Sequence, residues 1–241
     1  VNKKTSFGFG VNATLSKAPN LEVAQLDVLS PGYVNYNTIK FTNQTSQDVT
    51  NPSYNFNATH KFDSVTNLAF STDYTNYSEK MSRFNESRFY DNANMEIAPV
   101  NKFGVKNDLN FNVYTQKLDF DKQLKKGFRL ETGAKSSFVD NYAKSDVYLT
   151  DANNDLYIDS TYSNNYNYKE RILAGYLTLG KEFKKLDISI GVRAEHTLIN
   201  ASNAPKPFTL HRDYINFFPS GSLDYKINDK NSIQANYSYR I

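Results

Sequence analysis

The 241-residue chain has no cysteine, no tryptophan and only two methionines. The missing cysteines exclude disulfide scaffolds, thiolate metal sites and cysteine nucleophiles. No apolar run approaches the roughly 18 residues of a transmembrane helix, and the mean hydropathy is -0.63. A β-strand crosses a membrane in about 9–11 residues and turns only one side to lipid. The low mean hydropathy is therefore compatible with a membrane barrel.

The net charge of the chain does not indicate a class of binding partner. Its 28 basic and 25 acidic residues give a net charge of +3, without a run of like charge. Nothing in this pattern is typical of a nucleic-acid-binding arm, and we expect no nucleic-acid partner. The chain begins at Val1 without a charged and apolar leader, so we expect any export signal to lie upstream. We interpret residues 1–241 as a single region.

Alternation of apolar and polar residues is the dominant pattern. Tyrosine (18) and phenylalanine (17) supply much of the hydrophobic content, and aromatic residues favour strands. In Leu186 to Leu198 one side carries Leu, Ile, Val and Ala, and the other carries Asp, Ser, Arg, Glu and Thr. A period of two predicts a β-strand, because a helix would scatter both sets around its circumference.

The same alternation predicts about nine strands. They are Phe7–Leu15, Tyr54–Phe62, Leu68–Tyr77, Phe103–Gln116, Phe128–Val139, Tyr168–Phe183, Leu186–Leu198, Ile215–Ile227 and Ile233–Ile241. In Phe103–Gln116 the apolar face is formed by Phe103, Val105, Leu109, Phe111 and Val113. Tyr168–Phe183 has apolar residues on both faces, so its orientation stays open. The predicted fold class is all-β, an antiparallel up-and-down transmembrane β-barrel of which this chain forms part.

Short and long connections alternate along the chain. Four short ones are predicted at Asp63–Val65, Asp121–Lys126, Lys184–Lys185 and Asn228–Asn231, and long polar stretches at Lys17–Asn51, Ser78–Lys102, Lys144–Asn165 and Asn200–Arg212. An outer-membrane barrel has short periplasmic turns and long extracellular loops. A soluble β-sandwich also has alternating strands, but it gives no reason for this strict succession. The connections therefore favour the barrel.

In a barrel the apolar faces meet lipid and the polar faces line the lumen. The predicted lumen-lining residues are Arg129, Glu131, Lys135, Asp187, Arg193, Glu195, Asp224 and Lys226. Tyrosines near strand ends on the apolar face predict an interfacial aromatic girdle, formed by Tyr54, Tyr74, Tyr225, Tyr237 and Tyr239. A soluble sandwich would instead bury the apolar face.

Candidate chemistry is sparse. His60, His196 and His211 show no metal-ligand spacing, and no nucleophile elbow, P-loop or zinc-protease motif is present. Asp151 to Asp155 places oxygen ligands at the first, third and fifth positions of a calcium loop, but Leu156 replaces the turn glycine. A solvated polar loop is the favoured interpretation. We expect no enzymatic activity and no cofactor.

Four segments between Thr161 and Ile241 resemble one known family in order and spacing. They are Tyr168-Lys-Glu170-Arg-Ile-Leu-Ala174-Gly-Tyr176, Gly191-Val-Arg193-Ala-Glu195-His-Thr197, Tyr214-Ile-Asn-Phe-Phe218-Pro219-Ser220 and Tyr237-Ser-Tyr239-Arg240-Ile241. They are similar to the Bacteroidetes-type outer-membrane β-barrel family related to TonB-dependent receptors. The residues that carry this resemblance, and that we expect to be structural, are Tyr168, Glu170, Gly191, Arg193, Glu195, Phe218, Pro219, Tyr239 and Arg240.

The resemblance implies a cell outer-membrane protein whose barrel surrounds an N-terminal plug and imports a scarce, bulky nutrient with energy supplied through TonB. Its implied partners are outer-membrane lipid, the TonB complex through a plug that this sequence lacks, and an extracellular ligand. About nine strands are too few for a barrel of about 22, so the chain is expected to form an arc of a larger barrel.

Two other functions stay open from the sequence. The barrel could be an adhesin or scaffold that binds a partner through its surface loops and moves nothing. A soluble, secreted β-sandwich that binds glycans through a tyrosine-rich face is the third possibility. The upstream sequence and the solubility of the full-length protein separate these from transport.

Overall fold

The computed structural model describes residues 4–32, 34–204 and 207–239. They form ten β-strands and one 3-10 turn, Lys125–Gly127. The strands are β1 (Thr5–Ser30), β2 (Val34–Lys61), β3 (Thr66–Asp91), β4 (Asn101–Gln123), β5 (Phe128–Thr150), β6 (Leu156–Ile158), β7 (Asn164–Glu182), β8 (Leu186–Ala204), β9 (Phe208–Asn228) and β10 (Asn231–Ser238). No helix in these ranges is long and apolar enough to cross a membrane.

All ten strands lie in one antiparallel sheet with up-and-down topology. The order is β1-β2-β3-β4-β5-β7-β8-β9-β10, and the three-residue β6 pairs only with β5. The path therefore contains the nine strands that the sequence predicts, and the all-β, up-and-down prediction is confirmed. Within the described residues the sheet is not closed, because β1 and β10 are at opposite ends of the order. The fold is a partial barrel.

The two faces of the sheet differ in composition and in how far their side chains are exposed. We call the face with Phe7, Leu118 and Val192 the outer face, and the face with Asp119 and Arg193 the inner face. Phe7 is 69% exposed and Val192 is 46% exposed, whereas the Arg193 side chain is only 28% exposed. A soluble protein shows the reverse, with charges outside and apolar residues inside. This inversion is the arrangement of a membrane barrel wall.

The apolar residues of the outer face form an oblique band. One row of directly paired residues crosses the sheet from β1 to β9 and consists of Phe7, Ala58, Phe70, Leu118, Ala134, Gly175, Ala194 and Phe217. Phe7 is the lowest apolar outer residue of β1, where the band rises to Leu15. Phe217 lies near the top of the band on β9, which descends to Tyr225. An oblique band is the consequence of strands tilted against a flat membrane.

The strands extend far above the apolar band. On β1 the band covers residues 7–15, close to the about 9–11 residues that cross a membrane, but the strand continues to Ser30. The polar stretches Lys17–Asn51 and Ser78–Lys102, predicted as long loops, are mostly paired strand. The predicted strand lengths are therefore wrong, because polar extensions that pair with each other need no apolar side.

Polarity switches faces where the extensions begin. On β4 the outer residues below this point include Leu118 and Phe120, whereas the outer residues above it are Asn112, Asn110, Asp108 and Lys106. The register of β4 with β5 is unbroken from Gly104 to Gln123. The apolar set Phe103, Val105, Leu109, Phe111 and Val113 therefore lies on the inner face, and its predicted contact with lipid is wrong. Above the membrane the outer face of β4 contacts water, so polar residues are favoured there.

The connections at the lower end are tight turns, as the sequence predicts. In the turn after β2, the Asp63 carboxylate accepts the Val65 N–H at 2.8 Å, and this hydrogen bond lowers the pKa of Asp63. The upper connections are less uniform. Residues 92–100 and 151–163 are long, but β2 begins at Val34 only shortly after β1 ends at Ser30. The prediction of a long loop is wrong at this position.

Candidate functional site

The eight residues predicted to line a lumen all lie on the inner face. The cross-strand pairs place Arg129, Glu131 and Lys135 of β5 on the same face as Gly180, Thr178 and Ala174 of β7, and Ala174 pairs with Glu195 of β8. Asp187 pairs with Asp224, and Lys226 follows Asp224 at the next inner position of β9. A strict period of two across unbroken registers brings these distant residues together. Five of the eight belong to two clusters of charge, at two heights of the wall.

The lower cluster is centred on Arg129, near the short turns. Its Nε lies 3.1 Å from Oε1 of Glu131, and its Nη1 lies 3.7 Å from Oδ2 of Asp187. Gly180 provides the space, because a Cβ there would lie 3.1 Å from the guanidinium nitrogen Nη2. One arginine thus bridges β5 and β8 across the glycine of the intervening β7.

The upper cluster is centred on Tyr176 of β7. Its hydroxyl donates to Asp119, which also pairs with Lys117 at 2.8 Å. The Arg193 guanidinium lies 5.5 Å from the Tyr176 ring centroid and forms an ion pair with Glu195. Each charged side chain in this cluster has a partner of opposite sign.

Three residues of the upper cluster escaped prediction from the sequence: Lys117, Asp119 and Tyr176. The predicted fourth strand ended at Gln116, so Lys117 and Asp119 fell outside it. Their signal was present, because they alternate with Leu118 and Phe120. Tyr176 was ambiguous, since β7 is apolar on both faces. Its pairing with Gly133 and Arg193 assigns it to the inner face.

The other predicted inner residues are less connected. Asp224 accepts a hydrogen bond from Nε2 of Gln234 on β10 at 2.5 Å. Lys135 and Lys226 form no side-chain ion pair with any residue in the described ranges. Lys226 contributes a backbone N–H to the Lys185 carbonyl at 2.8 Å. These positions share the inner face with the clusters but are not part of them.

The residues that carry the family resemblance have mainly structural contacts. The Tyr168 hydroxyl donates to Glu170 at 2.9 Å, and the rings of Phe218 and Tyr239 stack at 6.4 Å. The Pro219 carbonyl accepts the Tyr239 N–H at 3.1 Å. Gly191 lies where a Cβ would be 2.8 Å from the Thr178 hydroxyl, so its inner side is tightly enclosed. Arg240 lies outside the described residues.

The histidines and the residues of the candidate calcium loop form hydrogen bonds that stabilise the local structure. The three histidine rings hydrogen-bond Thr5, Asp213 and Asn200 respectively. The Asp151 carboxylate accepts hydrogen bonds from the N–H groups of Asn153 and Asp155, both at 2.9 Å. These two hydrogen bonds stabilise the turn between β5 and β6. Over the ranges that the structure describes, no three acidic or histidine side chains form a group that could hold a metal ion.

Charge pairs also order the strand extensions. The Lys144 ammonium donates to Asp146 at 2.7 Å, and the Arg88 guanidinium donates to Glu86 at 2.7 Å. Each hydrogen bond, reinforced by the charge of its carboxylate, raises the pKa of the basic partner. Both pairs lie above the apolar band, where exposed ion pairs contribute little to stability. They keep the outer surface of the extensions hydrated.

Replacing Arg129 with alanine tests the lower cluster. The substitution leaves Glu131 and Asp187 without their shared cation, so we expect the free energy of unfolding to fall by about 1 kcal/mol or less. The effect is small because the Arg129 side chain is 34% exposed. Urea unfolding of the full-length protein in lipid vesicles measures it. Lys135→Ala is the control and should be neutral. An equal loss in both variants would contradict the pairing.

Comparison with known proteins places the chain in a family. The sequence model of the outer membrane protein beta-barrel family matches residues 60–241, more than half of the chain. No curated protein matches it. Similar solved structures are the alcaligin outer membrane receptor FauA from Bordetella pertussis (15% identity, TM-score 0.43), the ferric citrate transporter FecA in the unliganded form (10%, 0.46) and the ferric yersiniabactin uptake receptor FyuA from Yersinia pestis (12%, 0.38).

These alignments cover 99%, 98% and 93% of this chain but 44%, 43% and 42% of the other chains. The chain thus spans less than half the length of the solved structures it matches. The oblique apolar band, the charged inner face and the family match all indicate that this sheet lies in an outer membrane. The chain belongs to the outer membrane protein beta-barrel family, and it is located in the outer membrane of the cell.

Proposed function

We propose that this chain forms part of the wall of an outer-membrane receptor that imports a scarce, bulky nutrient. The observation that carries the proposal is the inner face, where paired charges lie at the height of the apolar band. Arg129 and Arg193 each pair with carboxylates there. Charges at this depth are stable only beside water or polar protein surface, so the inner face lines a wet interior.

The strand extensions add the second part of the proposal. β1 to β5 continue well above the apolar band as paired strands. Such extensions raise the wall of the barrel into the medium and enclose a tall outer vestibule, in which a bulky ligand can be held before it enters the barrel. Siderophores, glycans and similar nutrients are the ligand classes proposed.

Energy for import is proposed to reach the receptor through TonB, by way of a plug that fills the barrel. In the arc described here, every long strand is paired to a neighbour along most of its length. A rigid wall supplies shape and charge, and gating must come from a part that the wall encloses. The wall itself performs no chemistry in this proposal.

Uptake by cells that produce the full-length protein tests the proposal. Growth is scored on a panel of iron–siderophore complexes and oligosaccharides as sole nutrient sources. We expect growth on one ligand class to require both the full-length protein and TonB, with uptake falling to background without either. Unchanged uptake in the absence of TonB would disprove the energised mechanism. Adhesion lost with the protein, with no change in uptake of any ligand, would support the scaffold function instead.

A further inference from the structure

The outer face holds a groove at the upper edge of the apolar band. The groove has a volume of about 400 Å³ and lies across β4, β5, β7 and β8. Its apolar part is formed by Tyr114, Phe138 and Leu198, and its polar part on the outer face by Asp140, Lys169, Arg171 and Asn200. It faces away from the charged clusters of the inner face, so it is separate from the proposed transport path.

The height of the groove is given by the point at which the apolar outer residues of its strands end, which on β7 is between Leu173 and Arg171. Arg171 pairs directly with Phe138 on β5 and with Leu198 on β8. Beyond Phe138 the same row continues through Tyr114, Tyr74 and Tyr54. The Tyr74 ring stacks on the Tyr114 ring at a centroid distance of 4.4 Å and on the Tyr54 ring at 6.1 Å. A row of tyrosines at the edge of an apolar band marks the membrane–water interface. The groove therefore lies where lipid headgroups begin.

Two cations and one carboxylate lie at this part of the edge. Directly above the tyrosine row, β3 and β4 present Asn76 and Asn112, whereas β7 presents Lys169. Arg171 lies with its guanidinium 5.4 Å from the Phe138 ring centroid. It forms no ion pair with any residue of the described ranges, and Lys169 is matched only by Asp140 at 3.5 Å. The groove thus carries one guanidinium without an ion pair, that of Arg171, beside an apolar floor.

We propose that this groove binds the phosphate headgroup of a phosphorylated lipid in the outer leaflet. Arg171 and Lys169 contact the phosphate oxygens, and the Asn200 amide faces the polar backbone of the lipid. The first part of the acyl chains lies on Phe138 and Leu198. Arginine presents a planar fork of donors that matches phosphate, and its stacking on Phe138 holds that fork in place. The proposal does not depend on transport, since the groove is on the opposite face.

Lipid binding by the full-length protein in a neutral detergent tests the proposal. Native mass spectrometry is used to titrate a short-chain phosphatidic acid against wild type and the double variant K169Q/R171Q. Basic residues near a membrane surface each attract anionic lipid by an amount equal to about fivefold in affinity. We expect the double variant to bind phosphatidic acid at least about tenfold more weakly. The matched control K17Q/K80Q removes two outer cations from β1 and β3 and should bind as wild type does.

Two further probes distinguish the source of the phosphate. Phosphatidylcholine with the same acyl chains should bind at least about tenfold more weakly than phosphatidic acid, because its headgroup has no net charge. Inorganic phosphate should not displace the lipid at matched concentration, because it makes no use of the apolar floor. Leu198→Asn should weaken binding of the lipid without changing the urea midpoint. Equal binding of phosphatidic acid by wild type and K169Q/R171Q would overturn the proposal, as would equally tight binding of inorganic phosphate.

Discussion

Replacing Gly133 with alanine is expected to destabilise the barrel wall by about 2–3 kcal/mol. A Cβ at this position would lie 2.5 Å from the Leu118 carbonyl oxygen and 2.5 Å from the Tyr176 hydroxyl. The tyrosine could rotate, but the carbonyl is backbone, so β4 and β5 must separate locally. The same movement displaces Tyr176 from Asp119 and disturbs the upper cluster. Urea unfolding of the full-length protein in lipid vesicles measures the loss.

Gly175→Ala is the matched control for this experiment. Gly175 is on the outer face of β7, next to Tyr176, and nothing lies within 4 Å of its added Cβ. We expect its free energy of unfolding to change by no more than about 0.5 kcal/mol. If Gly133→Ala proved as harmless as Gly175→Ala, Tyr176 would not occupy the space that Gly133 leaves open, and the upper cluster as described would be wrong.

Replacing Val192 with arginine is expected to cost about 2–4 kcal/mol in a bilayer. Val192 lies on the outer face near the middle of the apolar band on β8, between Leu177 on β7 and Pro219 on β9. Its side chain is 46% exposed, so the substitution causes no steric clash and the cost arises from a charge in lipid. The unfolding midpoint in lipid vesicles is the measurement.

Gln44→Arg provides the comparison for Val192→Arg. Gln44 lies on the outer face of β2, paired with Phe84 well above the apolar band. An arginine there meets water, so we expect the stability to stay within about 0.5 kcal/mol of wild type. If the two arginines had equal effects, the position of the band would be wrong.

The predictability of the fold differs between two strands. β8 could be predicted closely, because its apolar residues keep one face from Leu186 to Leu198. β4 could not, because its apolar residues change face between Val113 and Tyr114. Only part of β4 contacts lipid, and a strand whose two halves meet different solvents has no single apolar face. Hydrophobic alternation reflects the local solvent, and for β4 that solvent is lipid along only part of the strand.

The inner clusters were predictable in part. Arg193 and Glu195 are two residues apart on a clear strand, so their shared face follows from the sequence. Arg129 and Asp187 lie on β5 and β8, and their contact depends on Gly180 of β7 between them. No spacing along the chain shows that contact. Tyr176 was missed for the same reason, since its place follows only from the strands on both sides of it.

The sequence by itself determined that this chain forms antiparallel strands with lipid-compatible and polar faces, because backbone geometry alternates side chains with a period of two. It also located the tight turns at the lower end. Only the tertiary structure decided how far the strands extend, where their polarity changes face, and which charges meet. These properties depend on pairing between strands and on the tilt of the sheet in the membrane, and both are set by neighbouring strands rather than by any one segment.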